Sequence, residues 1–222
     1  MIFGSCIFDA GKFVVWDSRT GEIILDLEGH GGPVYKCKLF PSGIVILSGG
    51  ADGSCRIWSA ESGICPVMLK GHTMAVNDLC IIDKGRNVVS VSRDGCAKLW
   101  DVGESKCLDN IVEGLGPLNC CTLTTTDDVI HVENPREVET GNKLLIIGCE
   151  NGTLATYHVA KREQVICKQI DSACNSVIVV NNTIIVGCSD GKVVCHAMMR
   201  QLRREARPVP RWQLCITPCP SS

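Results

Sequence analysis

An all-β fold made of repeated small sheets is what this sequence predicts, and three observations carry the prediction. Trp16, Trp58 and Trp100 follow one another at intervals of 42 residues, each a few residues after a glycine: Gly11, Gly53 and Gly95. The same interval carries Gly29-His30 to Gly71-His72, Val34 to Val76 and then Leu118, Ser48 to Ser90, and Asp52-Gly53 to Asp94-Gly95. Finally, no window has helical periodicity. The apolar residues are Val, Ile and Cys in short, partly alternating runs between turn residues, which suits strands.

Taken in chain order, the first period keeps Trp16-Asp17 but lacks its opening strands. The second reads as strands at Val34 to Phe40, Gly43 to Ser48, Ser54 to Ser59 and Ile64 to Leu69, separated by Pro-Ser-Gly, Asp-Gly and Glu-Ser-Gly turns. The third repeats those landmarks and ends in Trp100-Asp101. In the fourth, Asn151-Gly152 takes the Asp-Gly place and Tyr157 the Trp place; in the fifth, Asp190-Gly191 is intact and His196 stands six residues on from Asp190. A repeat of roughly 40 to 45 residues with Gly-His early and Trp-Asp late resembles the WD40 blade. That resemblance implies a partial WD40 β-propeller over residues 1–197, with about three complete four-stranded blades and two incomplete ones. Propellers close into rings of 4 to 8 blades, so the chain reads as part of a larger ring or a small ring closed imperfectly, with sheet faces left open.

The recurrent polar residues have fixed spacings. His30, Ser48, Asp52 and Trp58 are repeated as His72, Ser90, Asp94 and Trp100 with steps of 18, 4 and 6. The WD40 resemblance implies that each set is a structural hydrogen-bonded tetrad in which the Asp accepts from the His and the Ser and Trp extend the chain of bonds. His, Ser and Asp also suggest a hydrolase triad. A triad needs one nucleophile beside an oxyanion hole, however, and a trio that occurs twice with a Trp in fixed relation to it favours the structural reading. No catalytic residue, cofactor or metal site is expected.

Composition narrows the function classes. Sixteen cysteines in 222 residues would suit a disulfide framework, but they are scattered through strands, no secretory apolar region opens the chain and no Cys-x-x-Cys pair occurs. Reduced core cysteines in an intracellular protein, cytoplasmic or nuclear, are the expectation. The longest apolar runs are far too short for a membrane helix, so no membrane partner is expected. Formal charge is −2, yet residues 198–222 carry five Arg and one Glu, leaving −6 for residues 1–197. That asymmetry argues against a nucleic-acid-binding body. The 198–222 stretch has Pro208, Pro210, Pro218 and Pro220 and a Trp212 out of register; it reads as a disordered end, with a basic docking segment as the alternative. About 15 extra residues fall between Leu118 and Asn151, in a polar segment with five acidic residues and one Arg, expected to form a mobile, solvated loop.

The stretches "FPSGIVILSGGADGSCRIWSAESG" and "DKGRNVVSVSRDGCAKLWD", with Asn-Cys-Cys at 119–121, resemble the proteasomal ATPase-associated factor family, most clearly from Gly29 to Leu123. The resemblance implies a non-catalytic regulator or assembly chaperone that binds ATPase subunits of the proteasome regulatory particle, here in a truncated or splice-variant form. The alternative is a generic WD40 scaffold, such as a ubiquitin-ligase substrate receptor or an RNA-processing subunit. In propellers, partners often sit on the face built from the turn before the first strand and the turn between the second and third. On that face belong Pro33 and Tyr35, Ala75 and Asn77, Pro117 and Asn119, with the residue before each turn Asp or Asn: Ala51, Arg93, Glu150 and Ser189. Tyr35 and Arg93 are the strongest anchor candidates, because Tyr and Arg dominate interface hot spots.

Overall fold

The computed structural model describes the backbone of residues 3–7 and all of residues 13–198. Gly11 and the basic stretch beyond Met198 lie outside the described residues. Five antiparallel sheets follow one another along the chain. The first holds β1 (Phe3–Ile7), β2 (Phe13–Asp17) and β3 (Ile23–Asp26). The second holds β4 (Val34–Leu39), β5 (Val45–Gly50), β6 (Ser54–Ser59) and β7 (Val67–Lys70). The third holds β8 (Val76–Ile81), β9 (Asn87–Ser92), β10 (Ala97–Asp101) and β11 (Lys106–Val112). The fourth is β12 (Leu118–Thr125), β13 (Lys143–Cys149), β14 (Thr153–His158) and β15 (Glu163–Gln169), and the last is β16 (Cys174–Val180), β17 (Thr183–Cys188) and β18 (Val193–Ala197). Each sheet is an up-and-down meander in sequence order, and the first strands β4, β8, β12 and β16 pack side by side. This is a β-propeller arrangement of three four-stranded and two three-stranded blades, with no helix among the described residues. The first blade is more complete than its sequence suggests, since β1 pairs with the Trp-bearing β2.

Period-2 alternation explains why both faces of the middle sheets are apolar. In the second sheet Ile46 and Trp58 face the first, packing with Phe13, Val15 and Leu27, while Leu47, Cys55 and Ile57 face the third and meet Leu79, Val88 and Trp100. The third sheet then turns Val89, Val91 and Leu99 onto Leu145 and Ile147 of the fourth. The fourth presents Cys120, Ile146 and Leu154 to Val177, Ile184 and Val186 of the fifth. On the fifth sheet's other face, Ile178, Val180 and Val193 are 54%, 48% and 62% exposed. Between the second and third strands, Gly53 and Gly95 sit at φ +70° and +82°, where a β-carbon is strained. The Asp-Gly pair is therefore the turn's backbone requirement as well as its polar anchor.

The first strand of each of the last four sheets contains a β-bulge, with register shifts between Val34 and Lys36, Val76 and Asp78, Leu118 and Cys120, and Cys174 and Ser176. The extra residues are Tyr35, Asn77, Asn119 and Asn175. A bulge re-aims the side chain it inserts, and these four residues lie at the same end of their sheets, beside the turns between second and third strands.

The segment between β12 and β13 is solvated over much of its length, with Val129 78% exposed, but it is also tied to the neighbouring sheets. Buried Asn87 donates to the Arg136 carbonyl at 3.0 Å and accepts the Val138 N–H at 2.6 Å. Arg136 lies 3.2 Å from Glu104, Glu137 pairs with Arg162 at 2.9 Å, and Thr140 is fully buried. The Arg136 and Val138 backbone and the Arg136 and Glu137 side chains are thus paired with residues of the third and fourth sheets. Asn87→Ala is expected to release the segment, so limited proteolysis should cut within 127–139 faster than in the wild type. An unchanged cleavage pattern would mean that Asn87 does not hold it.

Candidate functional site

The site is built on two buried polar quartets. Trp58 Nε1 donates to Ser48 Oγ at 2.8 Å, Ser48 Oγ lies 2.7 Å from His30 Nε2, and His30 Nδ1 is 3.0 Å from an Asp52 carboxylate oxygen. The third sheet repeats the chain through Trp100, Ser90, His72 and Asp94 at 2.8, 2.7 and 2.9 Å. The donors fix the direction. The Trp N–H occupies the Ser oxygen as an acceptor, so the Ser hydroxyl donates to the His ring, whose other nitrogen donates to the carboxylate. This satisfies every member with the imidazole neutral. Protonating the ring would leave the Ser hydroxyl proton without its acceptor.

Each carboxylate also closes its own turn. Asp52 accepts from the Gly31 N–H at 2.9 Å, the Ser54 N–H at 3.0 Å and the Ser54 hydroxyl at 2.9 Å; Asp94 accepts from the Thr73 and Cys96 N–H groups at 3.0 and 2.9 Å. Three stretches of chain meet there: the approach to the first strand, the turn between second and third, and the third strand itself. Ser48 and Ser90 are fully buried, so neither oxygen can reach a substrate carbonyl, and the trios act as cross-strand ties.

Electrostatics agree with this geometry. Burial lowers the pKa of His30 and of His72, outweighing the neighbouring carboxylates, and Arg56 adds to the effect at His30. Burial opposes the Asp52 charge, but the Gly31 and Ser54 donors and His30 overcome it and bring its pKa down to about 2; Asp94 is lowered in the same way by Thr73 and His72. The unfolded imidazoles take up protons near pH 6.5 and the folded ones resist. Stability is therefore fullest above about pH 6.5 and declines as pH falls through the folded His values. A further loss begins below about pH 4, where unfolded carboxylates protonate while Asp52 and Asp94 stay charged. Melting temperature should fall between pH 7.5 and 5.5; a rise would contradict the neutral-His network.

Among the described residues the other sheets carry no equivalent. In the fourth, Ile147 stands in the Ser place and is fully buried in an apolar cluster, and the Tyr157 hydroxyl donates to Gln164 at 2.9 Å instead. Asn151 still closes its turn through the Thr153 N–H at 3.0 Å. Trp16 has no acceptor for its Nε1 among the described residues. Asp190 makes a local pair with Lys192 at 2.8 Å.

Above the quartets lies the face of sheet ends proposed from sequence. One backbone bond recurs there in four sheets: Ala51 to Pro33, Arg93 to Ala75, Glu150 to Pro117 and Ser189 to Ala173, at 2.8 to 3.0 Å. Each bond brings a pre-turn residue against the residue preceding an inward Val34, Val76, Leu118 or Cys174. Tyr35, Arg93, Glu150 and Ser189 are exposed, whereas Pro33, Ala51, Ala75, Pro117 and Asn119 are half-buried. Asn77 turns inward instead, donating to the Leu118 carbonyl at 2.7 Å. Two members escaped the sequence reading: Ala173 and exposed Asn175, which take the places of Ala75 and Asn77 but are displaced from the 42-residue register by the insertion. A hollow of about 440 Å³ opens on the second sheet between the segments that enter it (Gly29, Gly31) and leave it (Gly71, His72), beside Asp52, and it carries Arg56 and Lys70. With Asp52 already saturated by donors, those two cations and exposed Tyr35 and Arg93 equip this end for acidic and aromatic groups of a protein surface.

Comparison with known proteins agrees with the repeat. The family described as "WD domain, G-beta repeat" matches residues 21–59 and 63–101. The guanine nucleotide-binding protein subunit beta of Saccharomyces cerevisiae is 46% identical over 53 residues, 24% of this chain and 12% of that protein. The chain thus spans a small part of that relative's length. The matched segments are WD40 repeats, and each ends on a quartet-bearing sheet through its Trp: Ser59 follows Trp58, and Asp101 follows Trp100.

Proposed function

We propose that this WD40 protein is a non-catalytic binding module whose partner is an ATPase subunit of the proteasome regulatory particle, engaged at the sheet ends around Tyr35 and Arg93. The supporting observation is the face itself. Four sheets place a bulge and a pre-turn residue at one end, with the Asn77 side chain turned inward, and these are held in place by backbone bonds and, in two sheets, by buried quartets that consume their own polar groups. A platform of this kind acts by occupancy: it fixes diverse side chains on rigid strands and places none of its buried Ser, His or Asp groups where chemistry could occur. The choice of partner rests on the resemblance of residues 29–123 to the proteasomal ATPase-associated factor family. The reading extends to a cytoplasmic or nuclear location, where thiols stay reduced.

A second reading, a generic WD40 scaffold with another partner, is favoured by one observation. The matched relative is named as a subunit, a part of a larger protein, and the segments that match the repeat family, 21–59 and 63–101, carry both quartets, a framework that ties to no particular partner. Capture on the immobilised 222-residue chain, with purified proteasomal ATPase subunits offered singly, separates the two. Retention of an ATPase subunit by the folded chain supports the first reading; failure of every subunit to bind a folded chain removes it and leaves the second.

A further inference from the structure

Three inner strands bring an unusual trio together. Cys80 on β8 and Cys121 on β12 belong to different sheets, yet their sulfur atoms lie 3.5 Å apart, and both side chains are buried, 2% and 3% exposed. Lys38 on β4 reaches across from the second sheet and places Nζ 3.8 Å from Cys80 Sγ. The surrounding charges are already committed: Asp78 accepts the Cys121 N–H at 3.0 Å through one oxygen and lies 3.3 Å from Lys36 Nζ through the other. The Lys38 ammonium is thus the cation directed at the thiol pair. None of these groups belongs to the quartets or to the partner face.

We propose that Cys80 and Cys121 form a two-electron oxidation site that takes hydrogen peroxide and closes into a disulfide joining the inner strands of the third and fourth sheets. The Cys80 thiolate attacks one peroxide oxygen; the S–O bond forms, the O–O bond breaks, and hydroxide leaves and takes up a proton as water. Cys121 sulfur then attacks the sulfenic sulfur; the S–S bond forms, the S–O bond breaks, and the Cys121 proton leaves with the hydroxyl as a second water. Two thiols are oxidised and one peroxide is reduced. A disulfide needs the sulfurs at about 2.05 Å, so closure draws them together by about 1.5 Å, within reach of side-chain rotation and a small shift of strands that already touch.

The roles within the pair are unequal. The Cys121 hydrogen bond, aided by Lys38 and opposed by burial, holds the Cys80 thiol below the ordinary thiol range, whereas burial raises Cys121. Cys80 is therefore the attacking sulfur and Cys121 the resolving one. Other buried cysteines lack such a cation: burial pushes Cys55, Cys120 and Cys149 up to about 12. Lys38 itself keeps its proton because Cys80, Cys121 and Asp78 outweigh the effect of burial.

The test treats the reduced, folded 222-residue chain with hydrogen peroxide, alkylates the remaining thiols after denaturation and maps the peptides by mass spectrometry. A Cys80–Cys121 linked peptide is expected, formed at a rate independent of protein concentration. Lys38→Met, with melting temperature as the control for folding, should slow its formation roughly threefold: about tenfold less thiolate per pK unit, partly offset by greater nucleophilicity. Lys38→Arg should restore the rate. Recovery of Cys80 and Cys121 as alkylated free thiols after exposed Cys107, Cys167 and Cys195 have been oxidised would overturn the proposal. An unchanged rate in a folded Lys38→Met variant would overturn the activating role of the cation.

Discussion

Asp94→Ala is expected to lower the melting temperature by roughly 2–12 °C, the shift that corresponds to about 1–3 kcal/mol in a chain of this size. The loss comes from what the carboxylate leaves behind. The Thr73 N–H, the Cys96 N–H and His72 Nδ1 all donate to it, and the His72 side chain is fully buried. Removing the acceptor strands the buried His72 donor, and an unpaired buried donor costs more than the bond contributes on average. The fourth sheet provides the internal contrast, because Ile147 replaces the serine with an apolar side chain and no quartet is left half made. Thermal or denaturant melts of the variant decide the matter. Full stability with loss of some activity would make the quartet a functional group rather than a tie.

The fold was legible because the 42-residue period repeats backbone requirements and polar partners together: an Asp-Gly turn, a Trp ten residues after a Ser, and a His eighteen residues before that Ser. A spacing that recurs with all its members constrains geometry strongly, and the first three sheets follow it closely. Less of the site was legible. Asn77 and Asn119 hold equivalent places in sequence, yet Asn77 is bound inward to Leu118, a choice set by the neighbouring sheet and invisible to periodicity. Asn175 was hidden by the insertion that shifts the last two periods. The anchoring of the insertion was also hidden, because Asn87, Glu104 and Arg162, all outside the segment, supply it. The same limit applies to Cys80 and Cys121, which meet only because β8 and β12 are neighbours.

The second large effect concerns the partner face. Tyr35 is 45% exposed at a bulge of β4, and exposed Arg93 precedes the Asp94 turn, so both present their side chains without a covering neighbour sheet. Neither belongs to a quartet; the Arg93 backbone N–H, not its side chain, makes the tie to Ala75. Truncating such anchors at an interface centre commonly costs at least about 2 kcal/mol, or about thirtyfold in affinity. Because the substituted atoms face solvent, stability should change by no more than about 0.5 kcal/mol. The direct measurement is the dissociation constant of a proteasomal ATPase subunit for the wild-type chain and for Tyr35→Ala with Arg93→Ala, with melting curves run on both. Binding by the wild type, weakened about thirtyfold or more in an equally stable double variant, is the expected result; equal affinity in a folded double variant, or no binding by a folded wild type, would contradict it.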